Sequence, residues 1–389
     1  MPSSRNILML LDNPFKSDAR VEKEAASLLE RGYQVTLWAE RSADLPAEET
    51  RAGLRVRRRL APLFKSPLRR HYRENVAAVA TEIAGTDIAA VHCHDYQMLP
   101  YGAAAKRIRP GLKLVYDAHE YLPGWPLHQT SVGVLNRIKG YLTWKEALRK
   151  ERAGARLADA MIVVSEPVAA LYEKTLGLAR QPTVVSNFPN EIAAAELTDD
   201  RCFHREYGLS ADQLVVVHAG NIYQSDEEID SMLEAMARFP ALVLVFLGDA
   251  PRYRALEARI APSPRVFFGG FDSQAQNIKR MASADIGICH IVTRWQSQRI
   301  TMANRYMEYT YAGLAVMCNE YEGARHITER FPNTVYYRAL GRSGDFEAKL
   351  SEAVRNRNAL QSQSRLARTH YSFEREAEKL AGLYEGLLH

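Results

Sequence analysis

The sequence predicts an α/β fold made of two consecutive halves, each a parallel sheet covered by helices on both faces. Three observations lead to this prediction. Short apolar runs, typical of buried parallel strands, alternate with amphipathic helical segments along the chain. The alternation stops near residues 191–212 and then starts again. The length of 389 residues suits two domains of ordinary size.

The first half opens with a strand over residues 6–11, which the turn Asp12-Asn13-Pro14 ends. A helix over residues 18–31 follows, with Ala25, Leu28 and Leu29 on one face and Gly32 as its stop. The further apolar runs predict strands over residues 35–39, 89–92, 113–116, 160–164 and 183–186.

The second half repeats this order of elements. Its apolar runs predict strands over residues 214–218, 242–247, 265–268, 285–289 and 314–318. Its helical patterns predict helices over residues 226–238, 275–281 and 303–311 and a closing helix over residues 373–388. Ligands of such sheets bind at the carboxyl ends of the strands, so we expect a cleft between the two halves.

The composition is that of a globular protein that acts in a reducing compartment. Hydrophobic residues make up 47% of the chain and charged residues 25%, which excludes a disordered or fibrous protein. The first apolar run is too short for a signal peptide, and no run approaches the ~18 apolar residues of a membrane span. The four cysteines are scattered, with no CxxC pair. We therefore expect a cytoplasmic location.

Positive charge is concentrated in one stretch, although the net charge is only +5. From Arg51 to Arg73 there are nine Lys or Arg residues and no acid, with apolar residues between them. A second basic stretch follows over residues 137–156. Such surfaces suit anionic lipid headgroups, so we predict membrane contact through Arg51–Arg73 on the cytoplasmic face. A solvated basic face is an equal alternative; nucleic acid is disfavoured because no recognised motif accompanies the charge.

Chemistry-bearing residues follow three of the predicted strands in the first half. Asp18 is placed to cap the first helix, and Arg20 is placed near an anion, although a plain cap with a surface arginine gives the same pattern. The segments His92-Cys93-His94-Asp95 and Asp117-Ala118-His119-Glu120 end two successive strands. Hydrogen bonding to a polyhydroxyl substrate fits them better than a metal site, and we expect His92 to be a core histidine.

The second half has a glycine loop and a polar helix edge. Gly220 follows the first strand and lets the backbone approach a phosphate. Asn304, Arg305 and Glu308 share one helix face, and Gly313 then leads into a strand. A carboxylate there can accept both ribose hydroxyls, and an arginine can bridge phosphate. The sequence lacks GxGxxG after a strand, GxxxxGK[ST], Asp-x-Asp and GxSxG, which disfavours several other enzyme classes.

These segments together resemble glycosyltransferase family 4, the retaining nucleotide-sugar transferases of GT-B fold. The resemblance covers nearly the whole chain; its segments are residues 18–25, 32–36, 92–95, 115–120, 158–165, 187–189, 246–249, 284–287, 304–316 and 370–373. It implies two Rossmann-like domains facing across a cleft: residues 1–195 on the acceptor side and 196–370 on the donor side. A helix over residues 371–389 then returns to the N-terminal domain.

The resemblance also implies a set of site residues. His119 matches the family histidine beside the transferred sugar, and Arg305 would stabilise the leaving phosphate; these two are the predicted catalytic residues. Glu308 would hold the donor ribose. The remaining donor-side residues are Gly220, Asn221, Arg294, Arg299 and Asn304, and the residues of the acceptor or cleft loops are Asp18, Arg20, Asp95 and Glu120.

Two departures from the family pattern stand out. The family has a second acidic residue eight positions before the one at Glu308, where this chain has Ile300. The basic pair that clamps the diphosphate is also missing, and the loop instead continues through Asn221 into the acidic run Ser225-Asp226-Glu227-Glu228. Arg294, Arg299 and Arg305 could compensate. A donor with one phosphate or a degenerate donor site would also explain the departure.

The resemblance implies a glycosyltransferase that moves a sugar from a nucleotide-sugar donor to a hydroxyl of a glycan or lipid-linked acceptor. Retention of configuration, no metal or other cofactor, no nucleic-acid partner, and a role in cell-surface polysaccharide or glycoconjugate synthesis are expected with it. Two alternatives stay open: a nucleotide-sugar epimerase of the same fold, and a non-catalytic subunit of a glycan-assembly complex.

Overall fold

The chain divides into two units, each built on its own sheet. The computed structural model describes residues 5–16, 18–61, 69–130, 132–178, 180–197, 200–260, 263–338, 340 and 345–388. Unit 1 contains the chain up to Asn187, the segment Trp295–Ser297 and the segment from Glu374 onward. Unit 2 contains Phe188–Arg294 and Gln298–Phe373.

Unit 1 has an eight-stranded sheet in the order β3-β4-β2-β1-β5-β6-β7-β8. All neighbouring strands are parallel except the edge pair β3 and β4. The strands are β1 (Asn6–Leu10), β2 (Gln34–Glu40), β3 (Glu48–Arg51), β4 (Leu54–Leu60), β5 (Ala90–His94), β6 (Lys113–Ala118), β7 (Ala160–Val163) and β8 (Thr183–Val184).

The helices of the first part of the chain lie between these strands as predicted. They are α1 (Ala19–Glu30), α2 (Arg69–Ala84), α3 (Asp95–Ile108), α4 (Val134–Ala155) and α5 (Glu166–Tyr172). The side chain of Asp18 accepts a hydrogen bond from the Val21 N–H at 3.3 Å and so caps α1. Gly32 follows the helix with a φ of +80°, which explains its place as the stop.

The edge strand β3 and its neighbour β4 are absent from the prediction, which treated this region only as a basic surface. In β4 the residues Leu54, Val56, Arg58 and Leu60 alternate to the buried side. An arginine at one buried position of the alternation hid the strand period. The acid-free basic stretch is therefore partly a strand that pairs with β2.

Unit 2 has a six-stranded parallel sheet in the order β11-β10-β9-β12-β13-β14. Its strands are β9 (Leu214–Ala219), β10 (Leu242–Leu247), β11 (Val266–Phe268), β12 (Ile286–Cys289), β13 (Ala315–Asn319) and β14 (Thr334–Tyr337). Both faces are covered: Val215 and Val217 belong to one buried cluster, and Val216 and Leu244 to the other. The last strand, β14, was not predicted.

The helices of the second part of the chain follow in the same alternation. They are α6 (Cys202–Tyr207), α7 (Asp226–Ala237), α8 (Pro251–Ile260), α9 (Gln274–Met281), α10 (Gln296–Ile300), α11 (Asn304–Ala312), α12 (Arg325–Arg330), α13 (Asp345–Arg368) and α14 (Phe373–Leu388). The predicted α/β fold with two parallel sheets is confirmed. None of the helices in the described ranges is long and apolar enough to span a bilayer.

Helix α14, from Glu374 onward, belongs to unit 1. The Tyr384 hydroxyl lies 2.9 Å from Nδ1 of His92 in β5. The Ser186 N–H donates to the Glu376 carboxylate at 2.9 Å. Both contacts are buried, so the helix completes the core of unit 1.

Candidate functional site

Unit 1 carries a cluster of charged side chains at the carboxyl ends of three adjacent strands. Asp12 follows β1, His94 and Asp95 lie at the end of β5, and Asp117 and His119 lie at the end of β6. The register of β5 and β6 places His94 opposite Asp117. This is the edge at which parallel α/β sheets bind ligands.

Asp117 is the centre of this cluster. Its carboxylate accepts hydrogen bonds from Arg20 Nε at 3.2 Å and Nη2 at 2.8 Å, and it lies 3.1 Å from His94 Nδ1. Burial alone would raise the pKa of Asp117, but Arg20 and His119 outweigh it and hold the pKa well below its usual range. Asp117 is therefore a permanent buried anion.

His119 lies between two carboxylates. Its Nε2 is 2.9 Å from Asp117 Oδ2 and its Nδ1 is 3.2 Å from Asp95 Oδ2. Burial lowers the pKa of His119, but Asp95 and Asp117 raise it by more, and the net pKa is well above the ordinary value. At neutral pH the ring is an imidazolium that donates from both nitrogens.

Asp95 is fixed in place by an unusual backbone conformation. Its φ is +61°, in the left-handed region that non-glycine residues seldom occupy. Its Oδ1 accepts the backbone N–H of His119 at 3.1 Å. The predicted residues Asp95 and His119 therefore come together, and strained backbone of this kind is concentrated at functional sites.

Arg20 is buried within the cluster. Its Nη1 donates to the Val185 carbonyl at 2.7 Å, and its Nη2 lies 3.0 Å from the Glu24 carboxylate. Since Nε and Nη2 also bind Asp117, the guanidinium is committed to neighbouring protein groups. These contacts favour positioning of Asp117 over the predicted place near a ligand anion.

The other two predicted residues of unit 1 have well-defined partners. Asp18 caps α1 and also accepts from Asn13 Nδ2 at 3.1 Å. Glu120 accepts from the Ser297 hydroxyl at 2.7 Å. For Asp18 the contacts are those of an ordinary helix cap, and its contact with a substrate stays a prediction.

Four buried side chains of unit 1 have the donor types of a metal site. Glu24, His92, His94 and Asp117 each offer one ligand atom, and these atoms lie within 4.8 Å of one another. Imidazole and carboxylate donors suit zinc. However, the Arg20 guanidinium contacts both carboxylates, and its charge opposes a second cation. The cluster fits a buried ionic network better than a metal centre.

His92 and Asp12 complete the description of the cluster. His92 is buried and bonded to Tyr384, as expected of a core histidine, and burial lowers its pKa. Burial and the nearby Asp95 raise the pKa of Asp12 to about 6. The sequence pattern indicates only a turn at Asp12, and the position of Asp12 directly after the first predicted strand is the signal that marks it.

In unit 2 the glycine loop contacts the polar helix α11. Gly220 follows β9 with a φ of +75°, and a Cβ placed there would lie 3.3 Å from Arg305 Nη2. Arg305 Nη2 donates to the Asn221 carbonyl, and the Tyr253 hydroxyl donates to the Gly220 carbonyl. The predicted residues Gly220, Asn221 and Arg305 are thus adjacent.

His218, one residue before the end of β9, orients Arg305. Gln224 Nε2 lies 2.9 Å and Arg305 Nη1 3.2 Å from the Nε2 atom of His218. Both neighbours are donors, so His218 Nε2 must accept and the ring proton is on Nδ1. Burial and the charge of Arg305 hold the pKa of His218 well below its ordinary value, which keeps the ring neutral.

Glu308 lies one helical turn after Arg305. Its carboxylate is half-buried and accepts from Gln274 Nε2 at 2.6 Å. Asn304 is exposed at the first position of α11. Ile300 is buried, so the position that is acidic in the family pattern is apolar here. The side chains of Arg294 and Arg299 are exposed, and their part in diphosphate binding stays a prediction.

The acidic run after the glycine loop is largely used within unit 2. Ser225 and Glu228 form a reciprocal capping box at the start of α7. Asp226 contacts Arg252 at 2.7 Å. The loop is therefore less negative than the sequence indicated, which weakens the electrostatic argument against a diphosphate.

Two tyrosines that hold this loop were not predicted. Tyr253 bonds to the Gly220 carbonyl, and the Tyr309 hydroxyl accepts the Ala219 N–H at 2.7 Å. A Cβ at Gly287 would lie 2.5 Å from the ring of Tyr309. The sequence signal that could have found Tyr309 is its position four residues after Arg305, which puts both side chains on one helix face.

Four of the five arginines of β3 and β4 have acidic partners brought by the fold. Arg51 contacts Glu22 and Glu49; the others are the pairs Arg57–Glu48, Arg58–Glu49 and Arg59–Glu82. Residues 62–68, including Lys65, lie outside the described residues. Membrane contact through Arg51–Arg73 stays a prediction, with much of the charge in its strand portion paired.

Comparisons with known proteins agree with the resemblance. Residues 20–190 match the family model described as Glycosyltransferase Family 4, so the resemblance is confirmed over that range. The chain has no match among the curated protein sequences.

The chain is similar in structure to several solved proteins at low sequence identity. Sucrose-phosphate synthase from Thermosynechococcus elongatus is 16% identical with a TM-score of 0.73, covering 98% of both chains. HepE of Anabaena, solved in complex with UDP, is 17% identical with a TM-score of 0.68, covering 98% of this chain and 100% of that one. WaaG, a glycosyltransferase involved in lipopolysaccharide biosynthesis, is 16% identical with a TM-score of 0.68, covering 97% and 99%. These likenesses confirm the GT-B fold.

Proposed function

We propose that this chain, a GT-B protein whose residues 20–190 match glycosyltransferase family 4, transfers a sugar from a nucleotide-sugar donor to an acceptor hydroxyl. The acceptor we propose is a glycan or a lipid-linked sugar, within cell-surface polysaccharide or glycoconjugate synthesis. Transfer with retention and without a metal ion belongs to the same proposal.

The observation that carries this proposal is the arrangement of Gly220, Arg305 and Glu308 in unit 2. The glycine leaves the backbone open, the guanidinium lies directly beside it, and the carboxylate follows one helical turn later. An open backbone and a fixed cation suit phosphate, and a carboxylate suits the two hydroxyls of a ribose. Stabilising the leaving phosphate is the main chemical demand of such a transfer.

The donor sugar needs groups that orient it, and the unit 1 cluster supplies them. His119 as an imidazolium donates from both nitrogens, and Asp95 and Asp117 fix its ring. Both N–H groups are already bonded to carboxylates, but the ring is one-fifth exposed, so its positive charge and its polarised C–H edge can contact a sugar oxygen. We assign His119 to orientation of the sugar and assign no protein nucleophile.

Uridine nucleotides are the first donors to test, because HepE structures contain UDP and UDP-glucose. Thermal unfolding should be followed with UDP, GDP and CMP and with their sugar conjugates. A ligand at 100 times its dissociation constant adds about 2.7 kcal/mol of stability, which is readily measured. We expect a clear upward shift with one diphosphate species.

Matched variants separate donor binding from general stabilisation. Glu308→Gln and Arg305→Gln should reduce the shift and the transfer rate, whereas Arg254→Ala, an exposed arginine of α8, should change neither. A shift with CMP species alone would replace the diphosphate donor by a single-phosphate donor. No shift with any nucleotide would contradict the proposal and favour a non-catalytic partner. Turnover of the nucleotide sugar without any acceptor would favour an epimerase.

A cytoplasmic location and contact with a membrane surface remain part of the proposal. Four arginines in β3 and β4 contact acids, so this portion of the stretch has little charge left for lipid headgroups. Membrane contact through Arg51–Arg73 stays part of the proposal, and it would depend on the basic residues of the stretch outside these four pairs.

A further inference from the structure

Helix α4 exposes a row of large apolar side chains. Val134, Leu135, Ile138, Tyr141 and Leu142 are between 42% and 83% exposed. We call these five residues the α4 stripe. Single exposed apolar residues are common on protein surfaces, but a contiguous set on one element marks a surface that binds something.

The α4 stripe is one face of the helix. At about 100° per residue, its members lie within roughly 60° of Ile138 on either side. This spacing is the pattern by which a helix normally faces a core. Here it faces away from unit 1, as the exposures show.

The helix is held in this orientation by its other face. Ala147 and Glu151 are buried, and Glu151 binds the hydroxyls of Tyr116 and Tyr172 at 2.7 and 2.6 Å. A Cβ at Gly154 would lie 2.9 Å from the Leu99 Cβ, so α4 packs directly on α3. The stripe cannot turn inward without breaking these contacts.

A cavity beneath the N-terminal half of α4 does not involve the stripe. Its volume is about 430 Å³, and its lining includes Tyr96, Leu122 and Trp144. Lys139, at the edge of the stripe, also borders the cavity, and the other α4 residues in that lining belong to the inner face of the helix. None of the five stripe residues lines this cavity.

The segment that carries the stripe contains positive charge and no acid, and Glu146, at the next position, is bonded to Arg149. Residues 132–145 contain Arg137, Lys139 and Lys145 and no acid. Arg137 and Lys139 lie about 100° to either side of Ile138 around the helix axis. Lys145 lies seven residues after Ile138 and therefore on nearly the same side of the helix. The Lys145 ammonium is 5.5 Å from the Tyr141 ring centroid. Long basic side chains at the edges of an apolar face reach toward anionic headgroups while their stems remain in apolar surroundings.

We propose that the α4 stripe inserts into the headgroup region of an anionic lipid bilayer and docks unit 1 on the membrane. The charges oppose pairing with a second copy, because that would place two sets of cations face to face. A convex single-helix face also suits a deformable bilayer, which needs no matching groove. This docking specifies the membrane contact that is part of the proposed function, but it does not depend on the sugar transfer, so its failure and the failure of the transfer proposal can be told apart.

The test is vesicle sedimentation of the full chain. Vesicles of phosphatidylcholine containing about one third phosphatidylglycerol should bind the wild type, and vesicles of pure phosphatidylcholine should bind it far less. The double variant Ile138→Ser/Leu142→Ser should lose binding by about tenfold or more. Lys139→Gln and Lys145→Gln should each lower binding about fivefold, and only on anionic vesicles.

A matched control is available in the same unit. Ile108, at the end of α3, is 54% exposed like Ile138 but lies outside the stripe. Ile108→Ser should bind vesicles as the wild type does. In Tyr141→Trp we expect the fluorescence of the new indole to shift to shorter wavelength on anionic vesicles, which reports insertion rather than adsorption.

Three results would overturn the proposal. The first is that the wild-type chain stays in the supernatant when anionic vesicles are sedimented. Another is equal binding by the stripe variant and the Ile108 control. The third is a dimer in the absence of lipid that the stripe variant converts to a monomer, which would assign the surface to a second copy. Loss of vesicle binding with unchanged nucleotide-induced stabilisation would support docking without affecting the proposed function.

Discussion

At the scale of single residues, two glycines of unit 2 share a backbone conformation and differ in their neighbours. Gly220 has a φ of +75° and Gly208 a φ of +64°. A Cβ at Gly220 would lie 3.3 Å from Arg305 Nη2, whereas a Cβ at Gly208 would meet nothing within 4 Å. We predict that either Gly→Ala change costs about 1 kcal/mol of stability, since both force a left-handed alanine.

Only the change at Gly220 should affect ligand binding. The added methyl group of Gly220→Ala pushes on the guanidinium that we assign to the phosphate, so nucleotide-sugar affinity should fall. Urea unfolding measures the loss of stability in both variants, and titration calorimetry measures their affinity for the nucleotide sugar. Equal affinities for Gly220→Ala and Gly208→Ala would remove the glycine loop from the donor site.

Glu151 is a buried carboxyl that makes unit 1 sensitive to pH. Burial raises the pKa of Glu151 from 4.5 to about 7, although the hydroxyls of Tyr172 and Tyr116 lower it in part. The folded state thus binds more protons than the unfolded state between these values. The stabilisation is complete below about pH 4.5 and is lost as the pH rises through about 7.

We predict that Glu151→Gln removes this dependence. Between pH 4.5 and pH 8, the difference in unfolding free energy between the variant and the wild type should change by about 3 kcal/mol in favour of the variant, from 1.36 kcal/mol per pKa unit. Urea unfolding at several pH values measures it. Parallel pH profiles would show that the carboxyl has an ordinary pKa in the folded chain.

The residues that the sequence identified are those that follow strands and belong to a motif. His119 and Asp95 meet because the ends of β5 and β6 are neighbours, and that adjacency follows from the parallel order. The roles of His218 and Tyr253 depend on contacts across unit 2 that no local pattern records. The burial of Arg20 was equally invisible, because it depends on Asp117, which a strand 97 positions further along the chain brings to the guanidinium.

At the scale of elements, β4 shows how one buried arginine conceals a strand. Arg58 points to the same side as Leu54 and Val56, and it donates to the carbonyls of Pro14, Phe15 and Pro46. Arg55 of the same strand is exposed. The strand is therefore held both by its backbone pairing with β2 and by one guanidinium that ties two loops to it.

We predict that the same change, arginine to methionine, lowers the unfolding free energy by very different amounts at two positions of this strand. Arg58→Met should lower the unfolding free energy by about 3 kcal/mol, because it leaves three carbonyl groups without a donor and leaves Glu49 with Arg51 as its remaining partner. Arg55→Met should cost less than about 0.5 kcal/mol. Chemical denaturation measures the loss of unfolding free energy in each variant. Equal losses would mean that water replaces the hydrogen bonds of the Arg58 guanidinium.

The predicted elements were those with apolar runs, and the missed ones were polar or irregular. Strand β10 is fully apolar, β1 and β9 each contain one polar residue, and all three lie where the sequence placed them. Helix α13 covers 24 residues with few apolar positions, and it was not predicted. Strand β14 has only four residues, two of them half-buried, so its pattern is too short to recognise.

At the scale of the whole molecule, the four tryptophans report on one unit. Trp38, Trp125, Trp144 and Trp295 all belong to unit 1, although the last comes from the second half of the sequence. Intrinsic fluorescence therefore follows the unfolding of unit 1, while circular dichroism follows both units. The division into two halves was predicted from the restart of the strand pattern, but the return of α14 came only from the family resemblance.

We predict that Tyr384→Phe destabilises unit 1 selectively. It removes the hydroxyl that pairs with His92 Nδ1 and leaves a buried nitrogen without a partner, which costs about 2 kcal/mol. The fluorescence midpoint should fall. The variant Asn333→Ala tests unit 2 in the same way, because it removes buried hydrogen bonds to Tyr306 and Ser364. It should lower the unfolding midpoint measured by circular dichroism and leave the fluorescence midpoint nearly unchanged. Identical midpoints by both probes in both variants would show that the units unfold as one.

The bond between Tyr384 and His92 joins residues that are 292 positions apart in the chain. On a ribosome that adds about 5–20 residues per second, roughly 15 to 60 s pass between the synthesis of one partner and that of the other. The last strand of the unit 1 sheet, β8, ends at Val184, and for the rest of that interval the histidines and the core beside them have no covering helix. The nascent chain must therefore wait, with an open apolar face, for its last segment, which makes this protein a natural client for chaperones during translation.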